Sequence, residues 1–212
     1  MSCSVHAPVD ELIKPSKTER AIESASIIGA KHIVVEGIET PTPHASRLNF
    51  ENNYKFYKKL EPLCEKFNII IAIENLKKSF TYPDLLNDII KKLNSPWFKV
   101  CFDVGHSWVR ADMQPADFIR QLDLGVLCGL HVHDTHGIRN GIDEHLLPGM
   151  AEIDFDDLFC ALREVGYNGD MTLEVGVGFM RKYAPKGLLL PALKFCEAVG
   201  RKLIEDFKGN YR

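Results

Sequence analysis

The fold that the sequence predicts is decided by the stretch Leu130-His131-Val132-His133-Asp134-Thr135-His136-Gly137, which Asp143-Glu144-His145 follows shortly afterwards. Apolar residues from Val126 onward indicate a short strand, and the polar residues begin where that strand should end. In parallel α/β folds, ligands gather at the carboxyl ends of strands. Imidazole nitrogens and carboxylate oxygens without a thiolate suit zinc, manganese or iron. The alternative for these residues alone is a solvated polar loop with incidental histidines.

Composition sets limits on the class of protein. The 212 residues, 45% of them hydrophobic, predict one domain over residues 1–212. A formal charge of −3 makes a nucleic acid an unlikely partner. The six cysteines are scattered without CxxC spacing, which indicates a reducing cytoplasm. We find neither a secretory leader nor a run of eighteen apolar residues, so we expect a cytoplasmic protein without a membrane span.

The chain alternates short β-rich runs with longer stretches of helical periodicity. Strands are predicted at residues 2–7, 32–36, 69–73, 98–102, 126–132 and 171–173. Helices are predicted at about residues 18–28, 50–67, 83–93, 115–122, 155–165 and 188–207, with Pro62 inside the second. This alternation is typical of α/β folds with a parallel sheet, and we expect a (β/α) barrel.

A polar residue of metal-ligand type lies at the carboxyl end of each predicted strand. In chain order these residues are His6, Glu36, Glu74, Asp103, His131 and Glu174. A chance sequence would leave a small or apolar residue at some of the six places. The coincidence predicts that these side chains converge on one site at the top of the barrel.

Each residue also has a structural alternative. Glu74 could cap a helix or lie in solvent, but a carboxylate that directly follows Ile-Ile-Ile-Ala-Ile lies beside buried apolar surface and needs a partner. Asp103 with His106 could be a turn aspartate beside a surface histidine. His133 competes with His131, because residues two apart in a strand point to the same face. His32 and His44 are interpreted as ordinary surface residues.

Several motifs together resemble those of the xylose isomerase-like TIM-barrel superfamily, which joins sugar isomerases and epimerases to endonuclease IV. They are Val5-His6-Ala7-Pro8, Ile73-Glu74-Asn75, Phe102-Asp103-Val104-Gly105-His106, Leu130-His131-Val132-His133-Asp134, Asp143-Glu144-His145 with Pro148-Gly149, and Leu173-Glu174. The resemblance spans nearly the whole chain. Its ordered motifs are specific to the superfamily and poorly specific to one activity.

The resemblance implies roles for individual residues. The metal ligands of the family's epimerases match Glu74, Asp103, His131 and Glu174. His131 is preferred to His133 because it opens the family's H-x-x-D pattern, which Asp134 closes. His106 is assigned to substrate or metal and His6 to substrate. His6, Asp143 and His145 also match positions that bind further zinc ions in endonuclease IV, so Glu36, His106, Asp143 and His145 are further candidate metal ligands.

Two features depart from the family pattern. Glu36 stands where endonuclease IV has a histidine, which argues against a full trinuclear zinc site. The family's barrel has eight strands, and His6 falls where the third strand ends, so we expect a barrel that lacks the first two βα units. An open barrel would leave strand edges beside His6 and Glu174 that need cover, and we therefore expect a homo-oligomer.

The chemistry implied is proton transfer beside a carbonyl. Glu74 and Glu174 would act as base and acid around a divalent Mn, Mg, Co or Zn ion. We therefore expect a metal-dependent isomerase or epimerase of a sugar or sugar phosphate that acts through an enediolate. The alternatives are an endonuclease IV-like zinc phosphodiesterase and a degenerate barrel that binds sugar or metal without turnover.

Overall fold

The structure is a computed structural model that describes residues 4–7, 15–39, 46–76, 79–137, 141–176 and 185–209. The strands are β1 (Ser4–His6), β2 (His32–Val35), β3 (Ile70–Glu74), β4 (Phe98–Asp103), β5 (Leu127–Val132) and β6 (Asp170–Leu173). The helices are α1 (Pro15–Ile27), α2 (Ser46–Phe67), α3 (Pro83–Leu93), α4 (Val104–Arg110), α5 (Pro115–Arg120), α6 (Phe155–Glu164) and α7 (Leu189–Phe207). A 3-10 turn, Lys186–Leu188, precedes α7.

The six strands form one sheet in the order of the chain, from β1 to β6. Strands β1 to β4 pair in parallel, with His6 opposite Val34 and Glu74 opposite Cys101. Parallel neighbours need a crossover between them, and the intervening helices supply it. The predicted α/β class with six strands is confirmed.

Local sequence explains where the helices begin and end. Pro83 opens α3, where its missing N–H would have no partner in the helix, and Asn94 closes it in the left-handed region at φ 44°. The Asp154 carboxylate caps α6 by accepting the N–H of Asp157 at 3.0 Å. Gly166 follows α6 at φ +68°, as expected of a terminating glycine.

The structure differs from the sequence-based expectations at two places. Helix α4 begins directly after Asp103 and was not predicted, because its seven residues are too short to display an apolar period. His32 is buried at the start of β2, so its interpretation as a surface residue is wrong. The prediction for His44 falls outside the described residues.

The chain divides into two compact units. Unit 1 comprises Met1–Asp103, Gln121–Leu130 and Tyr167–Asp170, and unit 2 comprises Val104–Arg120, His131–Gly166 and Met171–Arg212. In unit 1 the fully buried Tyr57 packs between Phe80 and Phe98, with ring centroids 6.4 and 6.2 Å away. The interpretation of residues 1–212 as one domain stays a prediction.

Unit 2 has its own apolar core. Helix α6 buries Leu158, Phe159 and Leu162, and the Phe159 ring lies 5.9 Å from that of Phe207 at the end of α7. Among the helices in the described ranges, none is long and apolar enough to cross a membrane.

Candidate metal and active site

Unit 1 carries four of the predicted site residues at the carboxyl ends of its strands. His6 ends β1, Glu36 follows β2, Glu74 ends β3 and Asp103 ends β4. The three carboxylates belong to residues that are 4% exposed or less, whereas His6 is partly exposed. Buried carboxylates are costly without compensation, so their presence at successive strand ends is typical of a functional site.

His6 and Glu74 are in contact. The Nε2 atom of His6 lies 3.4 Å from Oε2 of Glu74, and the ring's Nδ1 donates a hydrogen bond to the carbonyl of Ala7 at 2.8 Å. The bond to Ala7 fixes the orientation of the imidazole. His6 is therefore held in a defined orientation beside the Glu74 carboxylate.

Asn75 links the ends of β3 and β4. Its Oδ1 accepts the N–H of Asp103 at 2.6 Å, and its Nδ2 donates to the carbonyl of Asp103 at 2.8 Å. Both residues are almost fully buried. This paired bond fixes the backbone of Asp103 relative to that of Asn75, and thereby relative to the adjacent Glu74.

The charges of two of these carboxylates affect the pKa of Tyr57. Its hydroxyl donates to the carbonyl of Glu36 at 3.1 Å. Burial raises the pKa of Tyr57 well above its ordinary value, and the negative charges of Glu36 and Glu74 raise it further. Tyr57 thus stays a neutral hydrogen-bond donor behind the strand ends.

In unit 2, His131 and Glu174 face each other. His131 lies in β5 and Glu174 directly follows β6, and the Nδ1 atom of His131 is 2.7 Å from Oε2 of Glu174. The backbone of Glu174 is fixed by its N–H, which donates to the carbonyl of Val132 at 3.0 Å. An imidazole nitrogen and a carboxylate oxygen held this close can serve as neighbouring ligands of one divalent cation.

A second cluster in unit 2 surrounds the Asp143 carboxylate. Its Oδ2 lies 2.9 Å from Nε2 of His106 and 3.5 Å from Nε2 of His145, and its Oδ1 lies 3.6 Å from Nε2 of His133. The rings of His133 and His145 stack with centroids 4.2 Å apart. Ligand atoms of His133, Asp143 and His145 all lie within 4.8 Å of one another, so these residues could hold a cation.

The charges in this cluster are strongly coupled. Burial alone would raise the pKa of Asp143, but hydrogen bonds from His106 and His145 outweigh it and lower the pKa well below its usual range. The hydrogen bond to Asp143 raises the pKa of His145 to about 9, against the opposing effect of burial. Without a metal, the cluster therefore holds a carboxylate beside an imidazolium at neutral pH.

Sequence reasoning missed the roles of His133 and Asn75. His133 is fully buried in the second cluster, and a Cβ on Gly105 would lie 2.0 Å from its Cε1. The Asp-Val-Gly-His spacing was a signal, since a glycine beside a strand end often marks a close approach. Asn75 directly follows Glu74, but a sequence does not reveal that an amide bonds the backbone of the next strand.

Comparison with known proteins identifies relatives along most of the chain. A family model described as "Xylose isomerase-like TIM barrel" matches residues 13–198. The uncharacterized protein MJ1311 of Methanocaldococcus jannaschii is 28% identical over 190 residues, which are 80% of this chain and 63% of that protein. L-ribulose-5-phosphate 3-epimerase UlaE of Salmonella paratyphi C is 26% identical over 165 residues, 74% of this chain and 54% of that enzyme. The chain thus spans about half to two thirds of the length of these curated relatives.

Solved structures show the same fold. A D-tagatose 3-epimerase-like protein superposes with a TM-score of 0.76 at 23% identity, over 97% of this chain and 79% of that one. The IolI protein with a bound zinc atom superposes with a TM-score of 0.72 at 16% identity, over 93% of this chain and 69% of that one. At these identities the likeness concerns the fold.

Proposed function

Because the chain belongs to the xylose isomerase-like TIM barrel family, we propose that it is a metal-dependent isomerase or epimerase of a small sugar or sugar phosphate. The observation that carries the proposal is the pair of glutamates at strand ends, each beside a histidine: Glu74 beside His6 in unit 1 and Glu174 beside His131 in unit 2. The names of relatives, which include an L-ribulose-5-phosphate 3-epimerase, support the substrate class.

The proposed metal ligands are Glu74, Asp103, His131 and Glu174. Their three carboxylates and one imidazole suit a hard or borderline divalent cation, and the 2.7 Å separation of the His131 and Glu174 donor atoms fits adjacent ligands. Mn, Mg, Co and Zn all remain candidates. When bound, the cation would supply positive charge that stabilises an oxyanion on the substrate.

The two glutamates would divide the proton transfer. Glu74, as the base, removes the proton from the carbon beside the carbonyl, and the electron pair forms the double bond of an enediolate. Glu174, as the acid, returns a proton to a carbon of that intermediate. Return to the opposite face of the same carbon gives an epimer, and return to the neighbouring carbon gives an isomer.

Two histidines would bind the substrate. The Oδ2 atom of Asp143 lies 2.9 Å from Nε2 of His106 and fixes the orientation of the ring. A substrate hydroxyl would therefore meet an imidazole of defined orientation. His6 contributes from β1, where its contact with Glu74 would keep the base oriented. The proposed partner is a small carbohydrate, and the homo-oligomeric state and cytoplasmic location stay predictions.

One observation favours a second candidate function. The group of His133, Asp143 and His145, with His106 in contact with Asp143, could hold a further metal ion, as expected of a zinc phosphodiesterase related to endonuclease IV. Glu36 and the net charge of −3 argue against that activity. Metal stoichiometry separates the two proposals.

The test combines metal content with turnover. Protein stripped with a chelator would be reloaded with each of the four metals and assayed in deuterated water against ketopentoses, ketohexoses and their phosphates. We expect about one metal ion per chain and a product that carries deuterium at the reacting carbon. Glu174→Gln should lower kcat at least about 100-fold, whereas the exposed Glu197→Gln on α7 should not.

Other results would overturn the proposal. Full activity in Glu174→Gln would remove the acid–base assignment. Two or three zinc ions with phosphodiesterase activity would favour the nuclease, and absence of both metal and turnover would favour a degenerate barrel.

A further inference from the structure

The Asp134 carboxylate is fully buried and accepts four backbone hydrogen bonds. Its Oδ1 accepts the N–H groups of Thr135 at 2.9 Å and Ile153 at 3.1 Å, and its Oδ2 accepts those of Gly149 at 2.9 Å and Ala151 at 2.8 Å. No side-chain cation is among the four donors. Hydrogen bonds to an ionised acceptor are about twice as strong as neutral ones. The carboxylate therefore holds residues 149–153 against the end of β5.

The backbone of Asp134 is also paired with the loop that carries His145. Its N–H donates to the carbonyl of Leu146 at 2.8 Å, and its carbonyl accepts the N–H of Leu146 at 2.9 Å. Leu146 directly follows His145. Two backbone bonds to Leu146 and three of the four carboxylate bonds, those from Gly149, Ala151 and Ile153, fix residues 146–153 to Asp134.

His145 connects this segment to Glu174 through hydrogen bonds. Its Nδ1 donates to the carbonyl of Glu174 at 2.8 Å, and its own carbonyl accepts the N–H of Gly176 at 2.8 Å. The N–H of Glu174 in turn donates to the carbonyl of Val132. The hydrogen bonds Glu174–Val132, Asp134–Leu146 and His145–Glu174, together with the chain segments 132–134 and 145–146, thus form a closed ring, all within unit 2.

The backbone of His145 adopts an unfavourable conformation within the ring. His145 has φ +50°, a left-handed conformation that costs a non-glycine residue about 1 kcal/mol or more and persists only where the surroundings enforce it. Gly149, one of the four donors, also has a positive φ of +86°. His145 directly precedes, and Gly149 lies within, the segment that the hydrogen bonds of Asp134 hold.

We propose that Asp134 is a positioning residue that sets the separation of His131 and Glu174 for metal binding. His131 directly precedes Val132 in β5, and Val132 and Glu174 both belong to the ring. The ring therefore connects the backbone segments that carry the two proposed ligands. The inference rests on the proposed function and adds a residue that does not touch the metal or substrate. Loosening the ring lets the Glu174 carboxylate move away from the 2.7 Å contact with His131.

The test is a double-mutant cycle read out as Mn²⁺ affinity by titration calorimetry. Residues that orient metal ligands typically change metal affinity 10- to 100-fold when mutated, so Asp134→Asn should weaken Mn²⁺ binding at least about tenfold. In a Glu174→Gln background, Asp134→Asn should weaken Mn²⁺ binding less than about twofold, because Asp134 acts through Glu174. Asp154→Asn, which weakens an exposed carboxylate-to-backbone bond in the same unit, is the matched control and should leave affinity unchanged.

A milder variant covers the case in which Asp134→Asn does not fold. Gly149→Ala meets no neighbour within 4 Å of its Cβ, so its only effect is strain at a positive φ. We expect about threefold weaker Mn²⁺ binding, abolished again in the Glu174→Gln background.

The outcomes separate the two proposals. Affinity unchanged by Asp134→Asn, or lowered by the same factor with and without Glu174, would overturn the positioning role. Mn²⁺ affinity unchanged by Glu174→Gln itself would overturn the proposed metal site instead.

Discussion

Asp143 and His145 form an ion pair whose titration gives a pH dependence to stability. The folded-state pKa of His145 is about 9 against 6.5 for the free side chain, so its stabilising contribution is complete below pH 6.5 and is lost as the pH rises through 9. The pKa of Asp143 is lowered from 3.8, so its contribution is present above that pH and is lost in acid. The pair therefore stabilises the metal-free protein most between these limits.

A matched comparison measures this contribution. Urea unfolding in chelator should show His145→Gln less stable than wild type at pH 6 by about 1 kcal/mol, a value discounted for the partial exposure of the ring. The difference should shrink between pH 6.5 and 9, and its pH dependence should be weaker in an Asp143→Asn background, where only Glu174 still raises the pKa of His145. A difference that grows toward pH 9 would contradict the assignment.

Single residues at strand ends were predictable, but their partners were not. An apolar run such as residues 69–73 followed by Glu74 reveals where a strand stops and which side chain lies there. The contacts of His133 with Asp143 and His145 depend on where the loop of residues 141–145 lies. Loop paths have no period in the sequence, so this cluster required coordinates.

At the scale of elements, Asn75 connects β3 to β4 through two buried backbone hydrogen bonds. Asn75→Ala should lower the free energy of unfolding by about 2 kcal/mol, because it leaves the N–H and carbonyl of Asp103 buried without that partner. Asn87 is a matched control: it forms the same paired bond to Gln121 and Asp123, but at the surface.

Urea unfolding of both variants tests the role of Asn75. Asn87→Ala should cost less than about 1 kcal/mol, because water replaces its lost bonds. Equal losses of unfolding free energy in the two variants would mean that burial does not strengthen the hydrogen bonds of Asn75 between β3 and β4.

The helices were predictable where their apolar periodicity was long or where residues that begin and end helices delimited them. Pro83 and Asn94 delimit α3, and Asp154 and Gly166 enclose α6, so both helices followed from capping and period. Helix α4 has neither feature. It forms beside Asp103 because tertiary packing buries Val104 and Val109, a cause that the local sequence does not display.

At the scale of the whole molecule, α7 leaves much apolar surface exposed. Within this fully described helix only Cys196 is buried, while Leu190, Leu193 and Phe195 are exposed. Monomeric proteins rarely expose contiguous apolar patches of large area. This helix agrees with the expected homo-oligomer, which stays a prediction.

The central proposal is that Glu74, Asp103, His131 and Glu174 bind one metal ion. The most direct measurement is an anomalous difference map, recorded near the manganese absorption edge, from crystals of the Mn²⁺-loaded protein. We expect one strong peak with all four side chains about 2.0–2.3 Å away. A peak that lacks any of these four side chains as a ligand, or no peak in crystals grown with saturating Mn²⁺, would contradict the proposal.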